Sequence, residues 1–169
     1  MLPWVEPTAE FSTNGANNAK QASTKVTAAG DYTKVEYAIS DSTDTDNVSN
    51  WNEYNNEEIA IPNDKGDVYV IVRLTYTKDG SYKYVVSNKF AMLPWVEPTA
   101  EFSTNGANNA KQASTKITAT GDYTKVEYAI SDSTNTDNVS NWNEYNNEEI
   151  TIPNDKGDVY VIVRLTYTK

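Results

Sequence analysis

The chain contains neither cysteine nor histidine. The absence of cysteine excludes disulfide bonds and thiol nucleophiles, and the absence of both residue types removes imidazole bases and the usual zinc ligands. No apolar run approaches the roughly 20 residues that cross a bilayer, and residues 1–4 do not begin a signal peptide with a basic start and an apolar middle. We therefore expect an internal fragment of a longer polypeptide, with no membrane insertion of this fragment.

Basic residues are also scarce. The 169 residues include 14 Lys and Arg against 24 Asp and Glu, which gives a net charge of -10. This balance argues against binding to nucleic acid or to an anionic membrane surface. The apolar fraction is only 38%, although 12 Tyr and 4 Trp supply large side chains for a core. A composition rich in Asn, Thr and Ser is common in secreted bacterial surface proteins, so we expect an extracellular, cell-surface location.

The dominant feature of the sequence is a repeat. Residues 1–78 recur as residues 92–169, a period of 91, with these exchanges between the copies: Val26/Ile117, Ala29/Thr120, Asp44/Asn135 and Ala60/Thr151. A period of 91 exceeds the roughly 20 to 50 residues of a solenoid unit and suits a domain with its own core. We predict two tandem domains, residues 1–91 and 92–169, whose first partners are neighbouring repeats of the same chain.

Alternating apolar and polar residues predict strands throughout each copy. In residues 34–40 the alternation places Val35, Tyr37 and Ile39 on the core face, and Lys34, Glu36 and Ala38 on a solvated face. The strands predicted in the first copy are residues 8–12, 24–28, 34–40, 58–62, 67–78 and 81–90. No segment shows helical periodicity, so short strands separated by turns predict an antiparallel β-sandwich. Residues 2–7, with two prolines, are predicted to be an extended linker.

Residues 67–90 predict a β-hairpin around Asp79-Gly80, a pair favoured in two-residue turns. The residues predicted to face the core are Val68, Val70, Val72, Leu74 and Tyr76 on the first arm, and Tyr82, Tyr84, Val86 and Phe90 on the second. The alternative is a domain that begins near Asp79 and uses residues 81–90 as its first strand. Because the second copy reaches only Lys169, we expect it to lack its last strand and to expose the edge at residues 158–169. That edge could exchange a strand with another copy of the chain.

Three segments of the sequence resemble bacterial immunoglobulin-like repeats of cell-surface stalks, adhesins and surface-layer proteins. They contain a V-x-Y strand, a W-x-x-Y turn and a long V-x-V-x-V strand, formed here by Val35/Tyr37, Trp51/Tyr54 and Val68/Val70/Val72. The resemblance implies an immunoglobulin-like (Ig-like) fold and a structural role as a stalk or spacer. It carries no catalytic residue to this chain.

Two polar groups are candidates for special chemistry. The loop that begins at Asp41 places oxygen-bearing side chains at alternate positions up to Asn47, which would suit calcium, although a solvated acidic loop is the favoured interpretation. Asn88 is predicted on the inward face of the last strand. An amide cross-link from Lys20 or Lys25, assisted by Glu36, is the alternative there to a strand-end asparagine bonded to backbone.

The tryptophans raise the possibility of a binding module for carbohydrate or a host protein, because sugar rings stack on exposed aromatic faces. We predict Trp51 in the core, and Trp4 and its copy Trp95 wedged between neighbouring domains. Glu57 and Glu58 are adjacent on a strand and face opposite ways, so they do not form an acid and base pair. We expect a structural stalk or spacer, with the binding module as its alternative, no catalytic residues and no cofactor.

Overall fold

A computed structural model describes residues 1–169 and contains two compact units, Met1–Trp95 and Val96–Lys169. The first unit extends beyond residue 91 because Met92 is the end of a strand that pairs within that unit. Both units are built from strands and irregular segments, apart from short 3-10 turns at Thr45–Asn47 and Thr136–Asn138. None of the helical segments has the length and apolar character needed to span a bilayer.

The first unit is all-β. Its strands are β1 (Thr8–Phe11), β2 (Ala16–Ala19), β3 (Ser23–Thr24), β4 (Val26–Ala29), β5 (Tyr32–Ser40), β6 (Asn52–Glu53), β7 (Ile59–Ala60), β8 (Asp67–Tyr76), β9 (Tyr82–Val86) and β10 (Phe90–Met92). The larger sheet has the order β2-β10-β8-β5-β6, with β9 also paired to β8. The pairs β1–β4 and β3–β7 form the smaller layer. All pairings are antiparallel except β2 with β10, which is parallel.

The core of the first unit joins these two layers. Val26 and Ile59 contribute from the smaller layer, and β8 contributes alternate residues, among them Val70 and Leu74. Phe90 from β10 is fully buried in the same cluster. The predicted core faces of β5 and β8 are therefore confirmed, except for Tyr76, which lies outside this cluster and contacts Trp4.

The hairpin at residues 67–90 is confirmed, but its turn is longer than predicted. Backbone hydrogen bonds join Tyr76 N to Ser81 O at 2.8 Å and Gly80 N to Tyr76 O at 3.1 Å, which leaves residues 77–80 as the loop. Only Gly80 has a positive φ, of 73°. The Asp79 carboxylate instead accepts hydrogen bonds from Ser81. The alternative domain that begins near Asp79 is wrong, since β9 pairs with β8 of the same unit.

The predicted core face of the second arm is wrong for β9. Val85 lies opposite the core residue Val72, and Tyr84 lies opposite Arg73 on the other face of the sheet. Tyr82 and Tyr84 are consequently 47% and 37% exposed. The longer loop is not the cause, because a two-residue loop and a four-residue loop give β9 the same face. The pairing with β8 is interrupted after Val86, and the chain re-enters the core at Phe90.

The predicted solvated face of β5 is also wrong in part. Ala38 is fully buried and Glu36 is largely buried, although both lie on the face away from Val35 and Tyr37. Ala38 lies opposite Ile71 and Glu36 lies opposite Arg73, so side chains from β8 cover this second face. The larger sheet is therefore buried on both faces along the middle of β5 and β8.

The second unit repeats much of this architecture. Its strands are β11 (Thr99–Phe102), β12 (Ser114–Thr115), β13 (Ile117–Thr120), β14 (Lys125–Ser131), β15 (Asn143–Glu144), β16 (Ile150–Thr151) and β17 (Tyr160–Thr166). The sheets are β11-β13, β12-β16 and β15-β14-β17. β17 pairs with β14 along one edge and has no strand on the other, as expected for residues 92–169. Residues 107–110, the copy of β2, form no strand.

Residues 4–7 are not a free linker. Val5 N donates to the Asp31 carboxylate at 2.7 Å, and Asp31 N donates back to Val5 O at 2.9 Å. Pro7 is fully buried, and a Cβ built on Gly30 would lie 2.6 Å from Glu6 O, so this segment lies directly against the glycine. The first segment of the unit is thus part of the folded body, and Gly30, with φ of 93°, is required beneath it.

Candidate functional site

An arginine–glutamate pair lies at the centre of the outer face of the larger sheet in the first unit. Arg73 on β8 faces Glu36 on β5, and its Nε and Nη2 lie 3.0 and 2.9 Å from Glu36 Oε1. Lys34 Nζ lies 3.4 Å from the other carboxylate oxygen. The register of β5 and β8 positions this pair, and the second positive charge compensates the largely buried carboxylate.

Two aromatic rings contact the arginine. The Arg73 guanidinium lies 4.4 Å from the Trp51 ring centroid and 4.5 Å from the Tyr82 centroid. Tyr84 lies 5.9 Å from Trp51 and 6.2 Å from Tyr82. We call Trp51, Arg73, Tyr82 and Tyr84 the aromatic–arginine stack. A guanidinium between two ring faces gains roughly 0.5–2 kcal/mol from each ring, more as water is excluded.

The stack offers aromatic and cationic surface. Its tyrosines, Tyr82 and Tyr84, are partly exposed. Such surfaces can stack on a sugar ring or pack against a protein side chain. The carboxylate beside it, Glu36, is engaged by two cations.

The second unit contains the same pair with half of the stack. Arg164 lies 2.9 Å from Glu127 and 4.3 Å from the Trp142 centroid. Burial raises the pKa of Glu127, but the hydrogen bonds and charges of Arg164 and Lys125 outweigh that effect and hold the pKa below its usual range. Residues 96–169 contain no copy of Tyr82 or Tyr84, and the Arg164 side chain is 48% exposed, against 18% for Arg73.

Trp51 is not the core residue that the sequence predicted. It lies in the stack on the outer face, whereas Tyr54 packs against the core and accepts a hydrogen bond from Val26 N at 3.0 Å. Ile59 and Ile61, which follow in the sequence, suggested that Trp51 and Tyr54 are both buried. The signal that could have found the stack was Arg73, the one cation at the centre of an apolar strand.

Trp4 contacts its own unit, contrary to the predicted wedge between domains. Its ring lies 5.5 Å from Tyr76, edge to face, and Lys78 Nζ lies 3.9 Å from its centroid. Close by, Glu6 accepts hydrogen bonds from the Tyr76 hydroxyl at 3.1 Å and from Lys83 Nζ at 3.4 Å. These bonds lower the pKa of Glu6, while desolvation and the bond to Glu6 raise the pKa of Tyr76.

The loop considered for calcium uses its side chains to close a turn. Asp44 Oδ1 accepts a hydrogen bond from Asp46 N at 3.0 Å, and Oδ2 accepts one from Asn47 at 2.8 Å. In the second unit Asn135 replaces Asp44 and accepts the same bond from Asp137 N at 3.1 Å. The structure contains no cluster of three or more metal-ligating His, Cys, Asp or Glu residues.

Asn88 and Glu36, considered above for an amide cross-link, have other partners. Asn88 is exposed, and its backbone N and side-chain Nδ2 donate to Asn14. Glu36, the proposed assisting acid, is bound to Arg73 and Lys34 on the outer face of the sheet. Lys25 is exposed beside β4. Asn88 thus bonds as a strand-end asparagine does.

Glu57 and Glu58 have separate partners. Glu57 accepts a hydrogen bond from Asn55 N at 2.8 Å, and Glu58 accepts one from the Ser23 hydroxyl at 2.5 Å. Each carboxylate therefore fixes a different piece of local structure, and the two do not converge on a common point.

Comparison with family models, curated proteins and solved structures finds no match to this chain. The functional argument consequently depends on the geometry of the two units. Two features support it: the short connection between the two units at Pro94-Trp95, and the exposed stack of the first unit.

Proposed function

We propose that the chain is a pair of Ig-like units that acts as a stalk or spacer in an exported bacterial surface protein. The strand arrangement supports the Ig-like assignment. In the first unit β1, β3/β4 and β7 lie in one layer, and β5, β8 and β9/β10 lie in the other, the grouping that Ig-like sandwiches show. The near-identical copies support the spacer role, since duplication of a folded unit adds length without new chemistry.

The observation that carries the proposal is the short connection between the units. Leu93 N is hydrogen-bonded to Ala19 O at 2.8 Å within the first unit. Val96 N donates to the Asp122 carboxylate at 2.6 Å within the second, and Asp122 N returns a bond at 2.9 Å. Only Pro94 and Trp95 lie between these anchors. Extended residues span at most about 3.6 Å each, so a connection this short limits bending in a repeated array.

The test measures the spread of distances between the units. The chain has no cysteine, so Lys65→Cys with Lys156→Cys places one spin label on an exposed loop of each unit. We expect a single narrow distance distribution by pulsed electron resonance. A matched chain with a flexible Gly-Ser insertion between Pro94 and Trp95 should give a broad one. Equally broad distributions from both chains would refute the stalk proposal.

A binding module is the second candidate, and the exposed tyrosines of the stack favour it. Tyr84 presents an accessible ring beside Trp51, an arrangement suited to a sugar ring. The test is a glycan array with the whole chain and with Tyr84→Ala. Selective binding that Tyr84→Ala abolishes would support this function. Tyr123→Ala is the control, because Tyr123 is exposed but lies outside the stack. Absence of selective binding would remove the candidate.

A further inference from the structure

We propose that an open pocket on one flank of the first unit binds a single neutral hexopyranose ring. The pocket has a volume of about 370 Å³ and is lined by residues of β4, of the first part of β5 and of the segment 53–56. This volume is at the lower end of the roughly 300–1,000 Å³ of ligand pockets, which suits a ligand of one ring. None of the lining residues belongs to the aromatic–arginine stack, so this is a separate site.

The unpaired edge of β4 forms one wall of the pocket. β4 pairs only with β1, and the bond from Ser12 N to Lys25 O at 2.9 Å fixes which of its residues face that partner. Because hydrogen bonds alternate along an antiparallel pair, the backbone groups of Val26 and Ala28 point away from β1. Val26 N shows this direction, since it donates to the Tyr54 hydroxyl at 3.0 Å. The N–H and C=O of Ala28 therefore face the pocket and have no partner within the protein.

The floor of the pocket is apolar and aromatic. Its residues belong to the core of the unit or pack against it: Val26, Ala28, Tyr32, Val35 and Tyr54. The Tyr54 hydroxyl accepts a hydrogen bond from Val26 N, so its own proton can be donated to a ligand. The ring of Tyr32 can pack against the apolar face of a pyranose. Tyr123, the copy of Tyr32, precedes β14 and is 41% exposed, so this wall is open in the second unit.

The polar groups of the pocket favour a neutral sugar over other ligands. Exposed polar side chains surround its mouth: Thr27, Thr33, Lys34, Glu53 and Asn56. Lys34 is already paired with Glu36, so an anionic ligand would meet the Glu53 carboxylate without a free cation. An apolar ligand would leave the Ala28 N–H and C=O without hydrogen bonds, which costs binding free energy. Sugar hydroxyl groups both donate and accept, so they can replace water at the N–H and the C=O together.

The test titrates the isotopically labelled whole chain with the methyl glycosides of glucose, galactose and mannose, and follows backbone amides by nuclear magnetic resonance. We expect at least one of these sugars to shift the Ala28 amide saturably, with a dissociation constant on the order of millimolar. Sorbitol, which has a similar set of hydroxyl groups but no ring, is the control ligand and should not produce this shift.

Two variants connect the shift to the pocket. Tyr32→Ala removes the aromatic wall and should weaken binding about tenfold or more. Asn56→Gly removes a side chain at the mouth, and it should preserve the fold because glycine readily adopts the φ of 68° found there. We expect Asn56→Gly to weaken binding about three- to tenfold, and the same spectra show whether each variant is folded.

The outcomes that would overturn the proposal are distinct. One is the absence of a saturable shift at Ala28 up to about 100 mM of every sugar. Another is an equal response to sorbitol, because the pocket would then not recognise a ring. Shifts confined to Arg73, Tyr82 and Tyr84 would also overturn it, and would instead support the binding candidate at the stack. The stalk proposal stands or falls separately, on the distance distribution between the units.

Discussion

The two units share nearly all their sequence and differ in what covers one long strand. In the first unit β8 is flanked by β5 and by β9 and β10, and Phe90 is fully buried. In the second unit β17 is flanked by β14 alone, and its apolar residues are partly exposed. Identical residues therefore occupy different environments within one chain. Substitutions made in pairs, one per unit, measure what β9 and β10 contribute to the free energy of unfolding.

The units can be followed separately because the copies differ at Val26/Ile117 and Ala29/Thr120. Peptides that contain residues 26–29 and 117–120 differ in mass, and they lie in β4 and β13, which have core residues at Val26 and Ile117. Amide exchange of these peptides in increasing denaturant therefore reports the free energy of unfolding of each unit.

The largest expected effect is at the paired leucines. Leu74→Ala should destabilise the first unit by about 2–5 kcal/mol, because Leu74 is fully buried and its truncation leaves a cavity. Leu165→Ala should cost the second unit less than about 2 kcal/mol, because Leu165 already contacts water. Equal losses would contradict the comparison and would mean that the second core is closed in solution.

A pair of glycines isolates the contact with the last strands. Gly15 and Gly106 have φ of 97° and 99°, so alanine should cost each about 1–2 kcal/mol in backbone strain. A Cβ at Gly15 would lie 2.8 Å from Lys89 O, whereas nothing lies within 4 Å at Gly106. We expect Gly15→Ala to cost about 1–3 kcal/mol more than Gly106→Ala, measured by the same exchange experiment. A difference near zero would show that residues 88–89 yield freely.

The paired arginines test the stack. Arg73→Lys keeps the charge near Glu36 but loses the planar contact with Trp51 and Tyr82, and we expect a loss of about 1–2 kcal/mol. Arg164→Lys loses a contact with Trp142 only, so its cost should be roughly half as large. Equal costs in denaturant unfolding would show that Tyr82 adds nothing to the stack.

The smallest effect is a difference in acid sensitivity. The hydrogen bonds from Tyr76 and Lys83 hold the pKa of Glu6 below its ordinary value of 4.5 in the folded first unit. The unfolded chain binds the proton more tightly, so this contribution is complete above pH 4.5 and is lost as pH falls through the lowered pKa. Glu6→Gln should flatten that part of the stability profile. Glu97→Gln is the matched control, since Lys83 has no counterpart in residues 96–169, and an equal effect would refute the assignment.

The sequence predicted most of the strands and the core faces that depend on alternation, but it missed β2, which lies outside every predicted strand. Val35, Tyr37 and Ile39 pack as expected, and so do the alternate residues of β8. The face predicted for β9 is wrong, although a two-residue turn at Asp79-Gly80 already places odd-numbered residues of β9 opposite even-numbered residues of β8. The two extra loop residues, Thr77 and Lys78, shift the register by two positions, so that Val85 instead of Ser87 lies opposite Val72 on the same face.

The sequence did not predict the candidate site either. Trp51, Arg73 and Tyr82 are distant in sequence and come together only through the registers of β8 with β5 and β9. The docking of residues 4–7 was also missed, because two prolines are equally compatible with a linker and with an edge segment that needs few backbone donors. This docking depends on a tertiary contact, because Gly30 leaves room beneath Pro7.

The parallel pairing of β2 with β10 has a consequence for synthesis of the chain. Asn14 and Asn88, which bond beside this pairing, are separated by 74 positions, so the unit has high contact order and cannot close until its final strand leaves the ribosome. During that interval the edges of β2 and β8 that pair with β10 in the folded unit have no partner strand.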